Sequence, residues 1–296
     1  MDSEDKVLNM NTPEEEITTS RSIERLQEDQ EYVSVIVKRN DEAVRHPDDI
    51  LEKAIEEGVE QHQRSSASLF LSALAAGLIL GFAGMCVALV HSIIPDGLGF
   101  PLKRVAVALV YPLGFIICIM SGTQLFTEQT ATAVYPVLDK RSKIKSLIML
   151  WILVLAGNLV GTFISSVLIY QSETVIAASS GFMEVFDHLI SFSSGEVFMS
   201  AILAGWLMAQ GGWLVMATPP ASSQIICIYI VTFVIGLGGL HHSIAGSAEI
   251  FSGLLHTGAA EYRDAFRFLV MAIIGNLIGG SFFVGVLNYG HIRKAQ

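Results

Sequence analysis

Leu153-Val154-Leu155-Ala156-Gly157-Asn158-Leu159-Val160-Gly161 returns 118 residues later as Met271-Ala272-Ile273-Ile274-Gly275-Asn276-Leu277-Ile278-Gly279. The same offset lays the polar interruption Gln124-Leu125-Phe126-Thr127-Glu128-Gln129 on His242-Ser243-Ile244-Ala245-Gly246-Ser247. Each interruption lies within an otherwise apolar stretch, about 30 residues ahead of its own Gly-Asn-Leu-x-Gly segment. Two repeats that each carry a broken helix at a matching position are the signature of a transporter or channel whose site lies at the repeat interface.

Outward from these stretches the chain holds six apolar segments, at about 67–91, 105–137, 146–170, 195–217, 224–256 and 266–289. Crossing the hydrocarbon takes about 20 apolar residues. The second and fifth segments are about 33 residues long and interrupted near their middles. Each therefore reads as a helix, a short non-helical break and a half-helix. Three spans per repeat is an odd number, so the second repeat must be inverted. The expected fold is an all-α integral membrane protein of six transmembrane helices in two inverted three-helix repeats. Gly77, Gly81, Gly84, Gly157, Gly161, Gly275 and Gly279 supply small-residue faces for close helix packing.

Apolar residues make up 52% of the chain and charged residues only 16%, against about 25% charged in a typical soluble domain. Residues 1–66 hold 18 of the 28 acidic and 8 of the 18 basic residues, so they carry the whole net charge of −10. The remainder is balanced and has no basic stripe, which excludes nucleic acid as a partner. Residues 1–47 are expected to form a disordered acidic cytoplasmic tail. Residues 48–66 read as an amphipathic interfacial helix, with Ile50, Leu51, Ala54, Ile55 and Val59 at helical spacing. The channel domain is expected over 67–290 and a cytoplasmic C-terminus over 291–296. The first apolar run begins near Ala67, too late for a signal peptide. Cys86, Cys118 and Cys227 lie in apolar segments with no Cys-x-x-Cys pair, and read as core residues rather than disulfide partners or metal ligands. No cofactor is expected. Lys53, Arg64, Lys140, Arg141, Lys143, Lys145, Arg293 and Lys294 share one side, against Lys103, Arg104, Arg263 and Arg267 on the other. The positive-inside rule then places both termini in the cytoplasm.

A helix break at membrane depth frees backbone groups, tolerable only where protein or water satisfies them. The break residues Leu125, Phe126 and Thr127, with Leu240, His241 and His242, are thus candidates for a substrate pathway. Half-helix N-termini beyond each break favour an anion. His241 and His242 are the histidines expected near the midplane, one facing the pathway and the other packing; neighbours on a helix point too far apart to share a metal. Imidazole titrates near neutral pH and can pass a proton to a weak-acid anion, which crosses a dry constriction far more easily once neutral. Glu128 and Glu249 lie close to the breaks, and a carboxylate in a span costs roughly 2.5–3.5 kcal/mol on insertion scales unless paired. They read either as capped structural groups or as transport residues. Asn158 and Asn276 read as interhelical glue beside a break, or as pore-lining amides.

These stretches resemble the formate–nitrite transporter family. Gln124-Leu125-Phe126-Thr127 is similar to its Leu-Phe-Thr break, and Gly239-Leu240-His241-His242-Ser243-Ile244-Ala245 to its Gly-Phe-Glu-His-Ser-Ile-Ala break. Leu125–Glu128 and Gly246–Ile250 further resemble a bacterial inner-membrane branch with Leu-Phe-Thr-Glu, Gly-Ser-x-Glu-Ile and a long charged N-terminal tail. The resemblance spans roughly 67–290. It implies an aquaporin-like protomer in a lipid membrane and a homopentamer with one pathway per protomer. It also implies passage of small monovalent anions such as formate, nitrite or hydrosulfide, without enzymatic activity. The family's central histidine corresponds to His242 and its threonine to Thr127. Its apolar slits correspond to Leu125 and Phe126, with Tyr111, Ile235 and Leu240. The chain departs from the family where His241 replaces an acidic residue, Gly246 an asparagine and Glu128 a small residue, and where the 171–194 loop lacks Lys and Arg. Other readings of the residues are a neutral-solute or cation pathway using Glu128 and Glu249, and a non-transporting scaffold whose tail recruits a partner.

Overall fold

The structure is a computed structural model that describes residues 44–94, 99–258 and 261–295. The acidic tail expected over 1–47 falls almost wholly outside the described residues. Within them, every regular element is a helix, and six stretches are long and apolar enough to cross a membrane.

Helix α1 (Pro47–Gln63) begins with Pro47 in its first turn, followed by Asp48 and Asp49 at the positive end of the helix dipole. Its apolar stripe of Ile50, Leu51, Ala54 and Ile55 is buried against protein, with Tyr135, Met216, Val284 and Ile292. It therefore covers one end of the bundle, called here the α1 end. From there α2 (Ser66–Ile93) crosses to the far end, and α3 (Phe100–Val110) with α4 (Pro112–Met120) returns to mid-depth. Pro112 has no amide hydrogen, which splits this descending helix in two. After the first break, α5 (Phe126–Thr132) and α6 (Tyr135–Leu138) complete the passage to the α1 end. Helix α7 (Ile144–Gln171) crosses back.

The second repeat runs the opposite way. Helix α10 (Ser194–Ala217) descends from the far end and α11 (Ala221–Gly238) climbs to mid-depth. Beyond the second break α12 (Ser243–Thr257) continues outward, and α13 (Tyr262–Gly280) returns through a π-helical turn at Ser281–Val286 into α14 (Leu287–Ala295). Equivalent helix pairs cross alike: Gly77 and Gly161 bring α2 and α7 to backbone contact at Asn158 O and Leu74 O. Gly205 and Gly279 do the same for α10 and α13, at Asn276 O and Ile202 O. A mid-helix glycine costs about 1 kcal/mol against alanine, offset here by packing at distances no side chain permits.

Between the repeats, the 171–194 segment, treated in sequence as a loop, contains α8 (Glu173–Ile176) and α9 (Ser179–Ser191). Gly181, Phe182, Val185, Phe186 and Leu189 form the buried stripe of α9. Its short length and polar surroundings hid a 3.6-residue period that is present in the sequence.

Candidate functional site

Both breaks are held open by asparagine. Asn158 lies fully buried, donates to Ala73 O (2.7 Å) and Gln124 O (2.9 Å), and accepts from Phe126 N (2.8 Å). Asn276 donates to Ala201 O (2.7 Å) and His241 O (3.0 Å), and accepts from Ser243 N (2.7 Å). Phe126 and Ser243 open α5 and α12, where backbone N–H groups have no partner within the helix. Each side chain thus satisfies both edges of its break. The shared pattern also corrects the repeat alignment. Gln124 is equivalent to His241 and Leu125 to His242, so the breaks are related by 117 residues while the asparagines keep 118. Matching residue types across the breaks concealed this one-residue slip.

The breaks meet at His242. Its Nδ1 accepts from Ala245 N (3.2 Å), capping α12, so the proton of the neutral ring sits on Nε2. Nε2 then donates to Thr127 Oγ1 at 2.9 Å, joining the two repeats. Both residues are buried, and Phe115 packs edge-on against the imidazole at 5.0 Å. Among the described residues Thr127 Oγ1 has no other hydrogen-bond partner, which leaves its own O–H to donate elsewhere.

A cavity of ≈ 250 Å³ leads from the far end down to His242. Tyr111, Ile235, Leu240, His241, His242 and Glu249 all border it. Both histidines therefore reach the cavity, contrary to the expected division between pathway and packing. The reason is that His241 and His242 lie in the non-helical break, where the helical separation of neighbouring side chains does not apply. His241 packs its ring against Phe192 and Phe268, and its buried Nδ1 has no protein partner among the described residues. Glu249 lies beside Gly84. Leu125, Phe126, Thr127, Glu128, Asn158 and Asn276 do not border this cavity. Leu125, Phe126 and Thr127 are buried in packing, while Glu128 is half-buried and electrostatically faces Glu57 of α1. Burial raises the Glu57 carboxyl above its usual range despite its contact with Lys53.

The mouth contains charges that sequence reasoning used only for orientation. Lys103 Nζ pairs with Glu184 Oε1 at 3.0 Å, and His91 Nδ1 lies 2.9 Å from the same oxygen. Arg104 Nε donates to Leu237 O (2.8 Å), and its guanidinium lies against Gly239. Gly239 ends α11 at φ +58°, and a side chain there would strike Arg104. Burial opposes ionisation of Glu184, but the close approach of His91 and the hydrogen bonds from Lys103 outweigh it and hold its carboxyl below the usual range. Burial, reinforced by Arg104 and His91, keeps the His188 imidazole below its ordinary value. The mouth is thus lined by two fixed cations and one carboxylate, with His188 biased to neutral. These cations come from α3, so the lack of Lys and Arg in 171–194 does not leave it without positive charge. Nothing in the spacing of Lys103 and Arg104 signals a contact with a break more than a hundred residues away.

Residues 48–290 match the formate/nitrite transporter family. "Inner membrane protein YfdC" of Escherichia coli (strain K12) is 32% identical over 253 residues, covering 81% of this chain and 76% of that protein. Among solved structures, an "FNT family ion channel" superposes with a TM-score of 0.76 at 16% identity, over 82% of this chain and 98% of the other. A "Pentameric formate channel with formate bound" gives 0.64 at 22%, over 77% and 98%.

Proposed function

The chain belongs to the formate/nitrite transporter family, and on that premise we propose that it conducts small monovalent anions of weak acids through each protomer. The observation that carries this reading is the buried Nε2–H···Oγ1 contact that joins His242, at the inner end of the cavity, to Thr127 behind it, where both breaks meet. An anion arriving from the far end passes Lys103 and Arg104, then the apolar constriction of Tyr111, Ile235 and Leu240. Leaving water there is costly for a charge. The N-terminus of α12 and the Thr127 hydroxyl supply compensating partial positive charge. Nε2–H, already directed at Thr127, can hydrogen-bond the anion. The proton that neutralises a weak acid comes from the aqueous side, because a neutral ring that gave up its one proton would be left an imidazolate. Leu125 and Phe126 form the next constriction toward the α1 end, and a neutral acid crosses it without the desolvation cost of its anion. Asn158 and Asn276 hold the breaks, and His241 lines the approach.

By this reading the protein works as a homopentamer, like the pentameric formate channel it resembles, in an inner membrane, like YfdC, with both termini cytoplasmic by the positive-inside rule. The α1 end then faces the cytoplasm, residues 67–290 form the channel domain, and 1–47 form a cytoplasmic tail. Proteoliposome flux tests the proposal with formate, nitrite, hydrosulfide, acetate and chloride. Weak-acid anions are expected to pass and chloride to be excluded. Equal flux of chloride, or none above empty liposomes, would overturn it. One observation favours a second reading: Glu249 borders the cavity with no basic residue in hydrogen-bond contact among the described residues, as a cation or neutral-solute pathway would require. Glu128 belongs to that alternative only as a residue facing the α1 end.

A further inference from the structure

A second cavity of ≈ 360 Å³ opens at the α1 end, on the outer side of the bundle, where α2 and α7 both begin. Its upper wall carries Arg64, Lys143 and Lys145, and its floor Leu69, Met149 and Leu153. We propose that this cleft holds the phosphate headgroup of an anionic phospholipid. The site is separate from the conduction pathway and does not depend on it.

Charge is the first reason. Among the described residues no carboxylate lines the cleft. Among the described residues Arg64 donates only to neutral groups, Gln61 Oε1 at 3.3 Å and Ser68 Oγ at 3.1 Å. Neither Lys143 nor Lys145 has a carboxylate partner among the described residues. His62 closes the wall: Nε2 donates to the carbonyl of Ala133 (2.9 Å), and Nδ1 lies 2.8 Å from Ser146 Oγ. Among the described residues, three cations therefore converge on a space that no carboxylate fills.

Depth and shape are the second reason, and they separate a lipid from free phosphate. Two 28-residue spans start at the cleft, which sets it at the level of the headgroups. Its floor is apolar and continues onto Ile148, Met149 and Ile152, exposed by 49%, 52% and 57% along the outer face of α7. Free phosphate would use the cations alone, whereas a diacyl lipid also covers the apolar floor. Basic clefts between spans at the cytoplasmic interface are suited to anionic headgroups.

The test is native mass spectrometry of the full chain in detergent, titrated with phosphatidylglycerol or phosphatidylcholine of identical acyl chains. Three interfacial cations are worth on the order of a hundredfold in affinity for an anionic lipid. Phosphatidylglycerol should be retained with a preference of that order, and R64Q/K143Q/K145Q should lose most of it. R263Q, at the opposite end, should keep it and so reports on folding and general charge. Excess inorganic phosphate should leave the lipid bound. Equal retention of both lipids, or an unchanged preference in the triple variant, would overturn the proposal. Displacement by phosphate would overturn it in favour of a free-anion site, and a cleft that cross-links to a second copy in lipid-free protein would assign it to the subunit interface.

Discussion

Replacing Asn276 with leucine keeps the side-chain volume and removes three hydrogen bonds at a position with no solvent exposure. Two of the released groups lose their partner in the break: Ser243 N–H, at the first turn of α12, and His241 C=O. Ala201 O belongs to the continuous helix α10 and keeps its place in the helical ladder. Two buried orphans at about 1–3 kcal/mol each give roughly 2–6 kcal/mol. Interhelical hydrogen bonds in membranes average about 0.6 kcal/mol, so three are worth about 2. The two routes overlap near the lower figure, and the expected loss is about 2–4 kcal/mol. Against a total stability of roughly 5–15 kcal/mol the variant should fold but unfold earlier. Equilibrium unfolding in mixed detergent–SDS micelles, followed by tryptophan fluorescence, measures it. Asn158→Leu should cost the same within error, because it orphans Phe126 N–H and Gln124 C=O in the same way. A loss below about 0.5 kcal/mol in both, the scale of an ordinary surface substitution, would mean that the asparagines do not hold the breaks.

Three further outcomes follow from other parts of the site. Glu249→Gln should raise weak-acid anion current about fivefold or more in proteoliposomes, from the loss of ~1 kcal/mol or more of repulsion at the cavity wall, while Glu128→Gln changes it little; abolished flux in the first variant would favour the cation or neutral-solute reading. Gly239→Ala forces a side chain into left-handed backbone at about 1–2 kcal/mol and displaces Arg104, so thermal stability in detergent should fall, and an unchanged midpoint would mean the turn is not as described. The Glu184 carboxyl is held below its usual value, so its contribution to stability is present above the unfolded value and lost as pH falls through the lower, folded one. Wild type and Glu184→Gln should therefore converge in stability as the pH drops below the ordinary carboxylate range, and a constant gap down to strongly acidic pH would refute the pairing with Lys103 and His91.

Much of this architecture is legible in sequence because a membrane imposes harsh rules. Long apolar runs have few alternatives to spanning, so the six helices and both breaks follow from length and from misplaced polar residues. Asn158 and Asn276 stood out for the same reason, since an amide in hydrocarbon must find a partner. Four features did not follow. The one-residue slip between repeats was hidden because Gln124 and His242 are both polar, while the structure pairs Gln124 with His241 and Leu125 with His242. Helix α9 was short enough to pass for a loop, although Phe182, Val185, Phe186 and Leu189 had the period to reveal it. The placement of Lys103 and Arg104 at the mouth depends on how α3 packs against α9 and α11, which local sequence does not encode. Gly205 was also missed, although Ala201 and Gly205 form the small-residue pair that Gly77 led the eye to in the first repeat.

The central claim is that His242 and Thr127 together form the conducting site. Formate-driven current in proteoliposomes on a solid support, compared between wild type, His242→Ala and Thr127→Val, tests it most directly. With all three proteins folded and alike in oligomeric state, wild type should give a clear current that both substitutions reduce at least roughly tenfold, the loss of about 1.4 kcal/mol or more. Full formate current in both variants would contradict the account and move the pathway away from the junction of the two breaks.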